Sequence, residues 1–167
     1  MLIIYTGEGK GKTSAAAGQA LRALGQGLRV SFAQLIKNDV RAGEQIMLGQ
    51  LLGENFFIGG RGFFIHEKDR AAHTDAARQV LAWAGEHAPA SDLLVLDEAL
   101  YALEAGLILE EELRALIEQC RRENTHLALS GRGLPEWLAQ EADLVTSMTL
   151  VKHPHDTGAQ GRPGIEY

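Results

Sequence analysis

The stretch Thr6-Gly7-Glu8-Gly9-Lys10-Gly11-Lys12-Thr13 brings together the residue types that hold a polyphosphate. Glycines let successive backbone amides turn inward as a nest for phosphate oxygens, a lysine supplies a full positive charge, and a neighbouring hydroxyl reaches a magnesium ion. Lys12 and Thr13 fit the last two tasks, with Gly7, Glu8, Gly9, Lys10 and Gly11 forming the loop. The spacing is one glycine off G-x-x-x-x-G-K-[ST], whose first glycine would fall at Thr6; here three glycines alternate and Lys10 adds a second charge. A glycine- and lysine-rich surface turn is the alternative. Against it, an apolar run precedes the stretch and an alanine-rich run follows, the strand and helix that a phosphate loop requires.

A magnesium-bound nucleotide also needs an acidic group at the end of a neighbouring strand. Leu93-Leu94-Val95-Leu96-Asp97-Glu98 supplies it: Asp97 would hold the ion through water, and Glu98 stands where hydrolytic nucleoside triphosphatases keep the base that activates water. The metal set is therefore Thr13, Asp97 and Glu98, and the catalytic set Lys12, Thr13 and Glu98; a plain Asp-Glu helix cap is the competing account. Arg132, in Ser130-Gly131-Arg132-Gly133, emerges on the same sheet edge, as a phosphate contact or as half of a surface ion pair. Arg22 lies three turns into the first helix and by geometry reads as solvated. His153-x-His155 with Asp156 lacks a third spaced ligand, so no zinc site is expected. Phe56-Phe57 and Phe63-Phe64 flank Gly59-Gly60-Arg61-Gly62, and serve either core packing or a flat hydrophobic ligand.

Strand-length apolar runs at 2–6, 28–35, 63–66, 93–97, 126–130 and 143–150 alternate with helical segments, which predicts an α/β domain with a mostly parallel sheet flanked by helices. One helix runs from Lys12 to about Gln26 and stops at Gly25 and Gly27. Another spans 110–122, with Glu110, Glu111 and Glu112 in its first turn and Arg121 and Arg122 in its last, matching the helix dipole. A third is capped by Asp69 and turns Ala72, Ala76, Val80, Trp83 and Ala84 to one side. Residues 1–150 form this domain. Residues 151–167 form a glycine- and proline-rich tail, frayed or closing on the site; Lys152, His153, His155, Arg162, Ile165 and Tyr167 suit closure over an anionic ligand.

The chain has 167 residues, 46% hydrophobic and 23% charged, which is one globular domain able to hold a core without staples. Sixteen Lys and Arg against 22 Asp and Glu give a net charge of −6, which argues against duplex DNA as a partner. No signal-peptide core or membrane span is visible, and the lone Cys120 sits in a helical apolar row as an inert buried thiol, so a cytoplasmic location is expected.

Several segments together resemble the P-loop type of ATP:corrinoid adenosyltransferase. They are the loop and helix from Thr6 to Ala23, Leu35-Ile36-Lys37 with Gly43-Glu44, Gly62-Phe63, Asp97-Glu98-x-x-Tyr101-Ala102-Leu103, Ser130-Gly131-Arg132-Gly133-x-Pro135, Ala142-Asp143-Leu144-Val145-Thr146, and Val151-Lys152-His153-Pro154 with the closing Gly164-Ile165-Glu166-Tyr167. The resemblance covers essentially the whole chain in order. It implies a RecA-like P-loop domain that moves the 5′-deoxyadenosyl group of ATP to the Co(I) of a reduced corrinoid and releases triphosphate. Co(I) is itself a strong nucleophile, so such an enzyme must mainly orient its reactants and stabilise departing charge. The resemblance further implies nucleotide binding at Gly7 through Thr13, with Arg22, Glu98 and Arg132 as helpers, and a corrinoid near Phe63 and the tail. It also implies an electron-donating reductase or flavin, and a homodimer. Two departures stand out: the first strand begins at Met1, without the N-terminal lid many relatives carry, and Ile65 stands where relatives often have Trp. An ATPase or small-molecule kinase of the same fold, and a nucleotide-gated corrinoid carrier, are the rival readings.

Overall fold

In the computed structural model, which describes residues 1–153 and 161–165, six strands form one all-parallel sheet in the order β3-β2-β4-β5-β1-β6. The strands are β1 (Leu2–Thr6), β2 (Val30–Gln34), β3 (Phe56–Ile58), β4 (Leu93–Asp97), β5 (His126–Ser130) and β6 (Leu144–Ser147). Parallel neighbours need crossovers. These are supplied by α1 (Lys12–Gly25), α2 (Gly43–Leu52), α3 (Arg70–His87), α4 (Ala99–Glu104), α5 (Glu110–Arg122) and α6 (Glu136–Glu141).

Alternation along the strands creates two cores, because successive side chains point to opposite faces. Leu2, Ile4, Leu94, Leu96, Leu127 and Leu129 pack with Ala77, Val80 and Ala84 of α3 and Leu113 and Ile117 of α5. On the other face Ile3, Phe32, Val95 and Ala128 meet Ala16, Ala20 and Ala23 of α1 and Leu48 and Leu52 of α2. The i, i+4, i+7 row of alanines lets α1 approach the sheet closely and holds the phosphate loop against it. Cys120 is buried in the first core, and burial pushes its thiol up to about 11, as expected of an inert cysteine.

Three expectations need correction. The strand expected at 63–66 is absent; the edge strand is Phe56–Ile58, paired with Phe32–Gln34, because those residues reach β2 before the chain turns away. At that turn Gly60 passes the Ile36 carbonyl, where an added Cβ would lie 2.2 Å from the Ile36 carbonyl carbon. Phe63 is left 64% exposed on the loop beyond. The buried row of α3 is Ala77, Val80 and Ala84, while Ala72 is exposed. Asp69 does occupy the position before α3, but its side chain makes no capping bond.

Candidate functional site

The carboxyl ends of β1, β4, β5 and β2 converge on a cleft of about 400 Å³, lined by Lys10, Gly11, Lys12, Thr13, Ser14, Lys37, Gly43, Glu44, Glu98, Gly164 and Ile165. The alternating glycines of the loop have a steric explanation. Gly7 has a φ of +100°, and a Cβ there would lie 2.4 Å from the Met148 carbonyl oxygen; at Gly9 the same oxygen would be 2.9 Å away. The loop is laced to the end of β6, with the Gly9 amide donating to the Met148 carbonyl at 2.8 Å and the Met148 amide donating to Thr6 at 2.8 Å. Gly11, with a φ of +112°, makes the last left-handed step into α1.

Lys12 is buried and curls over the loop, donating to the Gly7 carbonyl at 2.7 Å and the Gly9 carbonyl at 2.9 Å. Burial pushes its ammonium below the ordinary lysine range, opposed by the nearby Glu98 carboxylate. Lys10 donates to the Ile165 carbonyl, a contact between the loop and residues 161–165. Glu8 faces Arg132 in an ion pair at 3.3 Å, and Arg132 also donates to the Glu8 carbonyl at 3.4 Å.

Asp97 is the most heavily engaged group. Fully buried, it accepts from Thr13 Oγ1 at 3.0 Å and 3.2 Å, from Gln34 Nε2 at 2.9 Å and from the Ser130 hydroxyl, and it lies 3.4 Å from the Lys37 ammonium. Gln34 in turn accepts from Gln45 at 2.7 Å. Next to it, Glu98 adopts a left-handed φ of +63°, and its amide donates to Ser130 Oγ at 3.1 Å. Burial first and the Asp97 charge second raise the Glu98 carboxyl above its ordinary value. A non-glycine residue held at positive φ between strand and helix marks a turn fixed by its surroundings.

The hydroxyl of Thr13 and the carboxylates of Asp97, Glu98 and Glu44 are hard oxygen donors of the kind magnesium takes. Asp97 already receives three neutral hydrogen bonds, so it suits contact through water or through Thr13 better than direct ligation. Reading the chain alone missed Lys37, Gln34, Glu44 and the hydroxyl of Ser130 as members of this cluster. Their signal is register: Gln34 is paired with Asp97 across β2 and β4, and Lys37 follows three residues later. Arg22 is not brought to the cleft; it is exposed on α1, about 15 Å along the axis from Lys12 at ordinary helical rise. Phe63 lines an adjoining pocket of about 200 Å³ with Asn38 and Asp39, and its ring meets Tyr101 edge-on at 5.6 Å. Ile65, on the same loop, is 77% exposed. His155, Asp156 and Tyr167 lie outside the described residues.

The family model for ATP:corrinoid adenosyltransferase BtuR/CobO/CobP matches residues 1–167. The chain belongs to this family. The corrinoid adenosyltransferase of Pseudomonas aeruginosa is 34% identical over the whole of this chain and 83% of its own length. That of Escherichia coli K12 is 35% identical, again over the whole of this chain and over 85% of its own. Among solved structures, the flagellar accessory protein FlaH from Methanocaldococcus jannaschii aligns with a TM-score of 0.52 at 12% identity, covering 87% of this chain and 69% of that one; it shows a likeness of fold alone. In this corrinoid adenosyltransferase the cleft is lined by Lys10, Lys12 and Lys37, and the pocket beside the exposed Phe63 shares Lys37 and Glu44 with it.

Proposed function

We propose that this corrinoid adenosyltransferase seats ATP on the 7–13 loop with its C5′ methylene turned toward the Phe63 side, where a Co(I) corrinoid attacks it. The cobalt lone pair becomes the new cobalt–carbon bond, the C5′–oxygen bond breaks, and its electrons leave on triphosphate. The observation that carries this reading is the full-length family match together with a cleft that offers charge stabilisation for a leaving polyphosphate. Lys12 and Lys10, with the unpaired amides that open α1, would take up the charge that grows on the leaving oxygen. Magnesium, held by Thr13 with Asp97 and Glu98 behind it, would neutralise part of the triphosphate. Glu98 would help hold that ion, and no general base is required of it.

The exposed Phe63 and Ile65 offer an apolar surface for the corrin face, with Tyr101 bracing Phe63 from below. Ile65 covers less of that face than a Trp would, so Phe63 and Phe64 carry more of it. Arg132 exchanges Glu8 for phosphate. Arg22, distant from the cleft in this chain, would act only through a second copy, and the exposed Leu21, Met47 and Leu51 of α1 and α2 give a homodimer apolar surface to bury. A reductase or flavin supplies the electron that makes Co(I). No helix of the described residues is long and apolar enough to cross a membrane.

The deciding experiment incubates the protein with magnesium-ATP and chemically reduced corrinoid and quantifies products. Triphosphate should appear one-for-one with a light-sensitive alkylcobalt species. ADP as the main product would turn the assignment to an ATPase or kinase, and corrinoid binding without alkylcobalt would turn it to a carrier.

A further inference from the structure

The Lys37 ammonium sits where a metal ion would be expected. It donates to Thr13 Oγ1 at 2.5 Å, and lies 3.3 Å from a Glu44 carboxylate oxygen and 3.4 Å from Asp97 Oδ2. These are the hydroxyl and two of the carboxylates that make the hard-donor set of the cleft. A single positive charge among one hydroxyl and two carboxylates occupies the place of a cation. It also places a positive charge beside the buried Asp97 carboxylate.

We infer that Lys37 is a positioning residue that stands in for the divalent cation: it holds Thr13, Asp97 and Glu44 in a metal-ready arrangement and must be displaced before a metal can enter. The inference rests on the proposed magnesium site. Lys37 lies beyond the end of β2 on a flexible four-carbon stem and is partly exposed, so its ammonium can leave Thr13 while keeping Glu44 as an anchor. An ammonium and a divalent ion on the same few oxygens repel one another, strongly where water is largely excluded. A bare metal ion must therefore expel Lys37 unaided, whereas a metal arriving on a triphosphate brings negative charge that gives the displaced ammonium a new partner. Metal loading is thereby tied to nucleotide loading, and the phosphate loop does not fill with free divalent cation.

The consequence is readable without turnover. Mn²⁺ binding to the full chain is measured by electron paramagnetic resonance in the absence of nucleotide, for the protein as it stands, Lys37→Met, Lys37→Arg, Asp97→Asn and the Lys37→Met/Asp97→Asn pair. Lys37→Met should bind Mn²⁺ about tenfold or more tightly than the parent, because a competitor charge is gone. Lys37→Arg should stay near the parent, and the double variant should lose the gain. Thermal unfolding gives a second measure should Lys37→Met be poorly folded: added Mn²⁺ should raise its midpoint more than it raises the parent's. Equal or weaker Mn²⁺ binding by Lys37→Met, with Asp97→Asn still abolishing binding, overturns the role of Lys37 and leaves the metal site standing. Mn²⁺ binding indifferent to Asp97→Asn in every background overturns the metal site itself.

Discussion

At the carboxyl rim of the sheet, Asp97 is fully buried and receives Thr13, Gln34, Ser130 and Lys37 from four different segments; at the amino rim, Asp92 is partly exposed and is held by one residue, Arg29. The backbone differs in the same way. Gly7, Gly11, Glu98 and Gly131 at the carboxyl rim take positive φ to turn strands toward the cleft, whereas Gly27 and Asn124 at the amino rim take it merely to end α1 and α5. One sheet thus carries two kinds of polar edge. The amino rim pairs its charge with a single partner and could be replaced piecemeal, while the carboxyl rim gathers several charged and polar groups into one buried network around a space. If that contrast is right, changes at the carboxyl rim should be felt in activity and changes at the amino rim only in stability.

The largest effect should come from Asp97→Ala. Removing the shared acceptor strands a buried amide, two hydroxyls and an ammonium, and breaking a buried charged network of this sort costs about 3–5 kcal/mol. Urea denaturation should show that loss together with abolished adenosyl transfer. A loss below about 1 kcal/mol, the level of a surface pair, would erase the distinction between the rims.

Lys12→Ala comes next and should separate function from folding. A charge-assisted contact is worth roughly 1.5–3 kcal/mol, or about 10- to 150-fold in the affected step, and unchanged single-turnover transfer would remove Lys12 from the machinery. At the opposite rim Thr125 Oγ1, buried, donates to the Ala88 carbonyl at 2.7 Å and the Ser91 carbonyl at 3.0 Å. Thr125→Val keeps the shape and should cost about 1–2 kcal/mol of stability, with transfer unaffected. A transfer rate that fell with it would show the rims to be coupled through β5.

These two rims were unequally legible in the sequence. The loop from Gly7 to Thr13 and the Asp97-Glu98 pair were readable because their chemistry is local: each is a run of adjacent residues between a strand and a helix. The strand bounds 93–97 and 126–130 and helix 110–122 were equally plain, since burial on one or both faces imposes a period. What surrounds Asp97 was not, because Gln34, Lys37 and Ser130 reach it only through the strand order β2-β4-β5, and neither order nor register is written in any one segment. Ser130 illustrates the point: its motif drew notice for Arg132, while its hydroxyl is the group bound to Asp97. The misplaced edge strand has a related cause. Phe56-Phe57-Ile58 and Phe63-Phe64-Ile65 are near-identical in apolar character, and only pairing with β2 distinguishes them.

The smallest effect is also the one that gives the two rims opposite signs. Hydrogen bonds from the Arg29 side chain and amide, followed by its charge, hold Asp92 down to about 2 from an ordinary 3.8. A carboxyl depressed on folding contributes stability that is present above 3.8 and lost as the pH falls toward about 2. Glu98 runs the other way: burial and the Asp97 charge raise it above 4.5, so the folded chain binds that proton more readily than the unfolded one, and stability drains away as the pH rises through the raised value. Asp92→Asn should therefore lie below the parent in denaturation midpoint near neutrality and converge with it in acid, by an amount that salt shrinks because the pair is exposed. Glu98→Gln should lie above the parent near neutrality and converge with it in acid, while impairing transfer. Curves that shift in the same direction for both variants would mean that the carboxyl rim holds its charges no differently from a solvated pair.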